Sequence, residues 1–310
     1  MNKVLIFGGG GLVGSSLQRV LNENKNYKIL APSRSEVDMF SVDQVKKVVE
    51  EYDPQIIINA AARVGGIVAN NTERGDFIME NLKINVNLFE AIKSKSDIKI
   101  VNLGSSCIYP KNAPNPLKED SLMTGPLEPT NSPYAIAKIT GIEIGRAYNI
   151  QYGTNVINLM PTNLYGPNDN FSETRSHVIP GLIRRMNDAK INNDTSFSIW
   201  GSGNPLREFL YIDDLANAIC LLIEKDISHD LINIGSGQEI SIKGLAMVIK
   251  EIVNYEGNLV FDSSKPDGIE RKLLDSSLIC SLGWKPSVAL EEGLSKTFEW
   301  FINNQENLKT

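Results

Sequence analysis

Runs of four or five consecutive apolar residues alternate, over the first half of the chain, with longer stretches in which apolar positions return every three or four residues. Lys3-Val4-Leu5-Ile6-Phe7 is one such run and reads as a buried strand. Leu12 to Leu21, apolar at 12, 13, 17, 20 and 21, reads as a helix. Tyr27 to Ala31, Gln55 to Asn59 and Lys99 to Leu103 repeat the strand pattern, and Asn81 to Lys93 repeats the helical one. Strands alternating with helices predict an α/β fold, a Rossmann-like doubly wound parallel sheet. Ligands of such sheets sit beyond the carboxyl ends of the strands. Ala60-Ala61-Ala62, Gly104-Ser105-Ser106-Cys107 and Pro161-Thr162-Asn163 are therefore expected to line a cleft.

The alternation weakens after Gly166, where elements read as shorter and are broken by loops such as Gly201-Ser202-Gly203-Asn204-Pro205 and Lys265-Pro266-Asp267-Gly268. A smaller C-terminal substrate-binding α/β lobe is expected. Leu210 to Leu222 and Leu231 to Ile234 are regular enough to return to the main sheet. The division expected is a dinucleotide-binding domain of residues 1–165 rejoined by 210–235, and a lobe of 166–209 and 236–310.

Glycines 8, 11 and 14 fall between the first strand and the first helix as G-x-x-G-x-x-G. Missing side chains there let the backbone and the helix start, at Leu12 and Val13, approach a pyrophosphate. An NAD site places an acidic residue on the ribose diol near the end of the second strand; this chain offers Arg34 instead, with Glu36 close by. NADP(H) is the expected cofactor.

A second chemical stretch is Asn131-Ser132-Pro133-Tyr134-Ala135-Ile136-Ala137-Lys138. Ser132 suits a helix cap and Pro133 a first helical position, so a helix is predicted to begin here. Tyr134 and Lys138, four apart, then share a face. A neighbouring ammonium is expected to lower the phenol from its ordinary value near ~10 and make Tyr134 a usable acid.

Composition narrows the classes of partner. With a formal charge of −6 and a pI near 5.2, the chain lacks the basic surface of a nucleic-acid binder. Cys107, Cys220 and Cys280 are odd in number and far apart, which implies neither a disulfide framework nor a metal site. No apolar run approaches the ~20 residues that span a bilayer, so no membrane is expected and the cytoplasm is the default. An anionic ligand must then meet local cations, and Arg185, Arg207 and Lys272 are the candidates, with Arg184 the alternative to Arg185.

The glycine motif, Ser105, Tyr134 and Lys138 resemble, in order and spacing, the extended short-chain dehydrogenase/reductase superfamily. Ala61-Ala62-Arg63-Val64-Gly65-Gly66-Ile67-Val68-Ala69-Asn70-Asn71, Gly104 to Pro110, Leu127 to Lys138, Met160 to Pro167 and Ser176 to Pro180 narrow the resemblance. With Trp200 to Gly203, Arg207-Glu208-Phe209, Lys265 to Gly268 and Arg271 to Asp275, nearly the whole chain is similar to the GDP-L-fucose synthase family of GDP-4-keto-6-deoxy-D-mannose epimerase/reductases.

That resemblance implies a GDP-sugar substrate, a homodimer, and reduction at C4 with Tyr134 as acid, Lys138 tuning it and Ser105 on the same oxygen. It implies Cys107 and His177 as the acid/base pair for C3 and C5. Gly8, Gly11, Leu12, Val13, Gly14, Arg34, Ala60, Ala61, Lys138, Pro161, Asn163, Leu164 and His177 would contact the cofactor. Arg185, Trp200, Arg207, Asp267 and Lys272 would contact the substrate. Gly10 stands where family members often carry a basic residue, which leaves the NADP phosphate to Arg34. Two alternatives remain: a C4 reductase of a GDP-4-keto-6-deoxy-heptose without epimerase activity, and an NAD-dependent nucleotide-sugar 4-epimerase or dehydratase. Dehydratases of this group typically place Asp-Glu after the serine position, where this chain has Ser106-Cys107.

Overall fold

Val4, Leu5 and Ile6 have no exposed surface, and their side chains part to opposite faces of one strand with period two. Val4 and Ile6 join a core with Leu17, Leu21, Leu215, Ile219 and Leu222. Leu5 and Phe7 join another with Val45, Val49, Leu88 and Ile92. A strand apolar on both faces needs helices on both sides, and that requirement organises the first half of the molecule. The structure, a computed structural model, describes residues 1–173, 175–265 and 267–308. Pro266 of the Lys265 to Gly268 stretch lies outside the described residues.

In chain order the elements are β1 (Asn2–Phe7), α1 (Leu12–Glu23), β2 (Tyr27–Leu30), α2 (Val42–Tyr52), β3 (Ile56–Asn59), α3 (Ile67–Thr72), α4 (Arg74–Ile92), β4 (Lys99–Leu103), α5 (Ser132–Tyr152) and β5 (Asn155–Pro161). There follow β6 (Asn163–Tyr165), α6 (Val178–Ile191), β7 (Ser196–Trp200), β8 (Leu206–Tyr211), α7 (Ile212–Glu224), β9 (Leu231–Ile234), β10 (Glu239–Ser241), α8 (Ile242–Val253), β11 (Asn258–Asp262), β12 (Arg271–Lys272), α9 (Ser277–Ser281) and α10 (Leu290–Asn303). Six strands in the order β2-β1-β3-β4-β5-β9 form a wholly parallel sheet. The chain reverses its direction of travel between β1 and β3, which opens the crevice where such sheets take their ligands.

A polar line crosses this apolar sheet. Asn59, Asn102 and Asn158 are register partners on β3, β4 and β5, and their buried amides are linked at 3.0 and 2.9 Å. Asn158 passes the line on to the Asp230 carbonyl at 3.0 Å. Leaving such a group unpaired costs about 1–3 kcal/mol, so slipping one strand is penalised by every bond in the line.

The remaining strands gather around β8, which pairs antiparallel with β10 and parallel with β12 and β6. β7 and β11 pair separately. Phe171, Ile179, Met186, Phe197, Leu245, Ile249, Leu294 and Phe301 form the core beneath them. β9 does return to the main sheet and α7 packs on it, as the regular 210–235 stretch suggested. Two expectations need correction, and one helix has no counterpart among them. The later helices are not short, since α6 and α10 have 14 residues and α8 has 12, the length of α1. α4 begins at Arg74 rather than near Asn81: its opening residues Arg74-Gly75-Asp76 are polar, and Phe77 alone is buried ahead of Asn81. α2, capped by Ser41 accepting from the Gln44 amide, goes unnoticed among charged residues.

Candidate active site

The glycine turn meets the geometry a dinucleotide needs. Gly8 has φ of +82°, and a Cβ there would stand 2.7 Å from the Ala60 carbonyl carbon and the Ala61 amide. A Cβ on Gly14 would collide with the Gly8 carbonyl oxygen. α1 therefore sits hard against the ends of β1 and β3. Gly11 caps it with extended backbone and no side-chain bond, so the amides of Leu12, Val13 and Gly14 form an open positive pole. Arg34 is exposed in the turn after β2 and forms no ion pair among the described residues. Glu36 does not neutralise it: its carboxylate accepts from the Ser33 amide and hydroxyl, both at 2.7 Å, and those bonds hold it below its ordinary value. Pro161 ends β5, Leu164 lies in β6, and the Asn163 amide donates to the Glu208 carbonyl at 2.8 Å.

At the end of β4, Ser105 opens a single turn of 3-10 helix over Ser106–Ile108, and its hydroxyl accepts from the Cys107 amide at 3.4 Å. Lys138 is 5 % exposed; its ammonium donates to the Leu103 carbonyl at 2.8 Å and stands 5.7 Å from the centre of the Tyr134 ring. This corrects the expected tuning. Burial, with the Cys107 thiol adding to it, holds the Tyr134 phenol above its ordinary value, while burial pushes Lys138 down to about 8. The helix start is also corrected: Asn131 is the capping residue, Ser132 begins the helix, and the Ser132 hydroxyl takes a bond from Arg74 at 3.3 Å. The loop before it is closed by the Glu128 carboxylate, which takes the Thr130 and Asn131 amides at 3.0 and 3.2 Å.

Cys107 is 8 % exposed, and burial raises its thiol. The Lys272 ammonium, a hydrogen bond with Ser105 and the Lys138 ammonium oppose that rise, in that order. Ser105, Cys107, Tyr134 and Lys138 thus form one electrostatically connected cluster at the sheet's carboxyl edge. His177 approaches from another side. It caps α6 with extended backbone and is exposed, yet enough protein surrounds it to lower its imidazole by desolvation.

The loop carrying His177 is tied to the start of α4. The Gly66 amide donates to the Arg175 carbonyl at 3.1 Å, and the Glu73 carboxylate pairs with Arg175 at 2.6 Å and with Arg63. Phe77, on the same helix, meets the Tyr134 ring edge-on with centres 6.2 Å apart. Arg74 reaches the Pro129 carbonyl at 2.8 Å. Glu73, Arg74 and Phe77 therefore connect the His177 loop with the Tyr134 helix. Sequence reasoning gave none of them a role, since the partners that make these links lie 55 to 102 positions away.

Of the cations, Arg184 is occupied: it donates to the Phe171 carbonyl at 2.9 Å and pairs with Glu173 at 3.0 Å. Arg185, partly buried over the Phe197 ring at 5.3 Å, has no carboxylate partner among the described residues. Arg207 donates to the Leu206 carbonyl at 2.8 Å and likewise makes no ion pair there. Trp200 is 56 % exposed, with the Lys265 ammonium 5.8 Å from its ring centre. Asp267 is engaged by Ser202, whose amide and hydroxyl donate to it at 2.6 and 2.8 Å. Lys272 lies opposite Arg207 on β12 and beside Cys107 rather than with Arg185.

The arrangement joins a dinucleotide cradle to buried proton donors and a group of cations. The sequence profile of the NAD dependent epimerase/dehydratase family matches residues 4–235. GDP-L-fucose synthase 1 of Arabidopsis thaliana is 48% identical over 302 residues, 97% of this chain and 94% of that protein. A GDP-L-fucose synthetase from Naegleria fowleri, solved bound to NADP, superposes with a TM-score of 0.91 at 29% identity, covering 100% of this chain and 96% of that one. A GDP-6-OMe-4-keto-L-xylo-heptose reductase from C. jejuni superposes with a TM-score of 0.91 at 34% identity over 98% of both chains. The chain belongs to the NAD dependent epimerase/dehydratase family, within the group that holds the GDP-L-fucose synthases.

Proposed function

We propose that the protein is an NADPH-dependent epimerase/reductase that converts GDP-4-keto-6-deoxy-D-mannose, or a heptose analogue, by inversion at C3 and C5 and reduction at C4. The observation carrying this reading is Cys107, a buried thiol on the turn that Ser105 opens, its amide donating to the Ser105 hydroxyl at 3.4 Å and its electrostatics coupled to Lys138 and Tyr134. A 4-reductase alone has no need of a second acid there.

The open first-turn amides of α1 and the free Arg34 suit the phosphates of NADPH, which supplies hydride to C4 when bound. Arg185 and Arg207 are the cations open to the substrate pyrophosphate, with the exposed Trp200 ring for the sugar or base and Asp267 ordering the Gly201–Gly203 turn through Ser202. A C4 ketone acidifies the hydrogens at C3 and C5. Desolvation leaves the Cys107 thiol protonated and the His177 imidazole neutral at neutral pH. His177 is accordingly suited to remove a proton and Cys107 to return one. Ser105 and Tyr134 hold the C4 oxygen during both steps, and Tyr134 then gives it a proton.

The second reading, a C4 reductase of a GDP-4-keto-heptose, is favoured by the likeness to the C. jejuni heptose reductase. Residues 1–165 with 210–235 would carry the dinucleotide and the remainder the sugar. Three free thiols suit a reducing compartment such as the cytoplasm. Met79 and Val86, two turns apart on α4, and Ile136 on α5 are exposed apolar side chains suited to a homodimer seam. NADPH oxidation on adding GDP-4-keto-6-deoxy-D-mannose tests the function. Consumption matching product supports it, and turnover without net consumption points to a 4-epimerase that recycles its cofactor.

A further inference from the structure

β12 is two residues long, yet the backbone on both sides of Lys272 is pinned. The Leu206 amide donates to the Glu270 carbonyl at 2.9 Å, and the Leu117 amide donates to the Leu273 carbonyl at 2.8 Å. Two residues past Lys272, the Leu274 amide donates to the Glu208 carboxylate at 3.1 Å. Glu208 has no exposed surface and takes the Gly237 amide on its other oxygen at 2.7 Å. A buried carboxylate satisfied in this way locks three segments together, and one of them delivers Lys272.

The delivery point is the wall of a small cavity, about 20 Å3, that Cys107, Asn115, Glu128 and Asn131 also line. The Asn131 side-chain oxygen is buried there without a partner. We propose that Lys272 is the electrostatic partner of Cys107, held against the thiol by the β8–β12 pairing and the Glu208 clamp, and that this positioning role accounts for its place better than a contact with the substrate pyrophosphate. The inference rests on the reading of Cys107 as a proton donor. When Cys107 gives up its proton, negative charge develops on sulfur, and a fixed ammonium on the wall of the same cavity stabilises it without reorganisation. The charged and titratable groups around the pair are Lys138 and Tyr134 from α5, which face the thiol, and Arg207 from β8 and Glu128 from the loop, which face the ammonium.

The test is the ultraviolet thiolate absorbance of Cys107 against pH, taken as the difference between the protein and its C107S form, in wild-type, K272M and K272R backgrounds. K272M is expected to raise the midpoint by about one pH unit, and K272R to keep it near wild type. Exchange of deuterium into the substrate should fall about tenfold in K272M and recover in K272R. An unchanged midpoint in K272M, with only a raised KM for the GDP-sugar, overturns the inference and returns Lys272 to the pyrophosphate. If C107S itself exchanges deuterium at the wild-type rate, the reading of Cys107 fails, an outcome separate from the midpoint.

Discussion

Lys138 donates to the carbonyl of Leu103 at 2.8 Å, which ties the helix of Tyr134 to the strand end that leads into Ser105. The bond holds the ammonium one helical turn past the tyrosine and inside the protein, where burial pushes it down to about 8. A lysine lowered in this way is charged below that value and neutral above it. kcat/KM for reduction is therefore expected to fall as pH rises through about 8, and the acid limb of deuterium exchange to lie below the ordinary histidine range, since desolvation lowers His177. K138R, which stays charged, should shift the alkaline limb upward in whatever activity remains. A pH–rate profile of both proteins checks this, and an alkaline limb unmoved by K138R contradicts it.

Arg184 and Arg185 are neighbours with opposite employment. Arg184 is spent on Phe171 and Glu173, whereas Arg185 has no carboxylate partner among the described residues. R185A is expected to raise KM for the GDP-sugar about ten- to a hundredfold, the worth of a charge-assisted bond of ~1.5–3 kcal/mol. R184A should leave KM near wild type and lower stability by about 1 kcal/mol or less. Steady-state kinetics and thermal melts of the two variants give the comparison.

Gly66 sits where a side chain would strike the backbone ahead of His177: a Cβ there would stand 2.7 Å from the Ser176 carbonyl oxygen. G66A is expected to displace that loop, slowing deuterium exchange by about a hundredfold, the effect of a misplacement of ~1 Å, and destabilising the fold by about 1–3 kcal/mol. Exchange measured by NMR beside a thermal melt separates the two effects. Wild-type exchange in G66A would show that the loop does not govern His177.

The strands β1 to β4, the glycine turn and the Tyr134–Lys138 spacing were legible because each is set by residues close together in sequence. Apolar runs and glycine spacing survive any tertiary context. The Lys138–Leu103 bond, the Glu208 clamp and the Arg74–Ser132 contact were not legible, since each joins segments 29 or more positions apart. The expected lowering of Tyr134 failed for a related reason: spacing places a cation near a phenol but does not reveal how deeply the pair is buried. Arg185 was distinguishable from Arg184 only once their partners were in view.

On the proposed reading Arg34 carries the cofactor preference: Glu36 is turned back on Ser33 and leaves the guanidinium without an ion pair among the described residues. R34A should raise KM for NADPH about tenfold or more and leave KM for NADH nearly unchanged. Kinetics with both dinucleotides decide it, and an equal effect on the two would remove Arg34 from the phosphate.

The most direct test of the whole account is the NMR spectrum and mass of the product formed from GDP-4-keto-6-deoxy-D-mannose and NADPH in heavy water. Deuterium at C3 and C5, with both centres inverted and C4 reduced, is the predicted result. Reduction at C4 with neither label nor inversion would contradict the epimerase assignment of Cys107 and His177 and leave a 4-reductase.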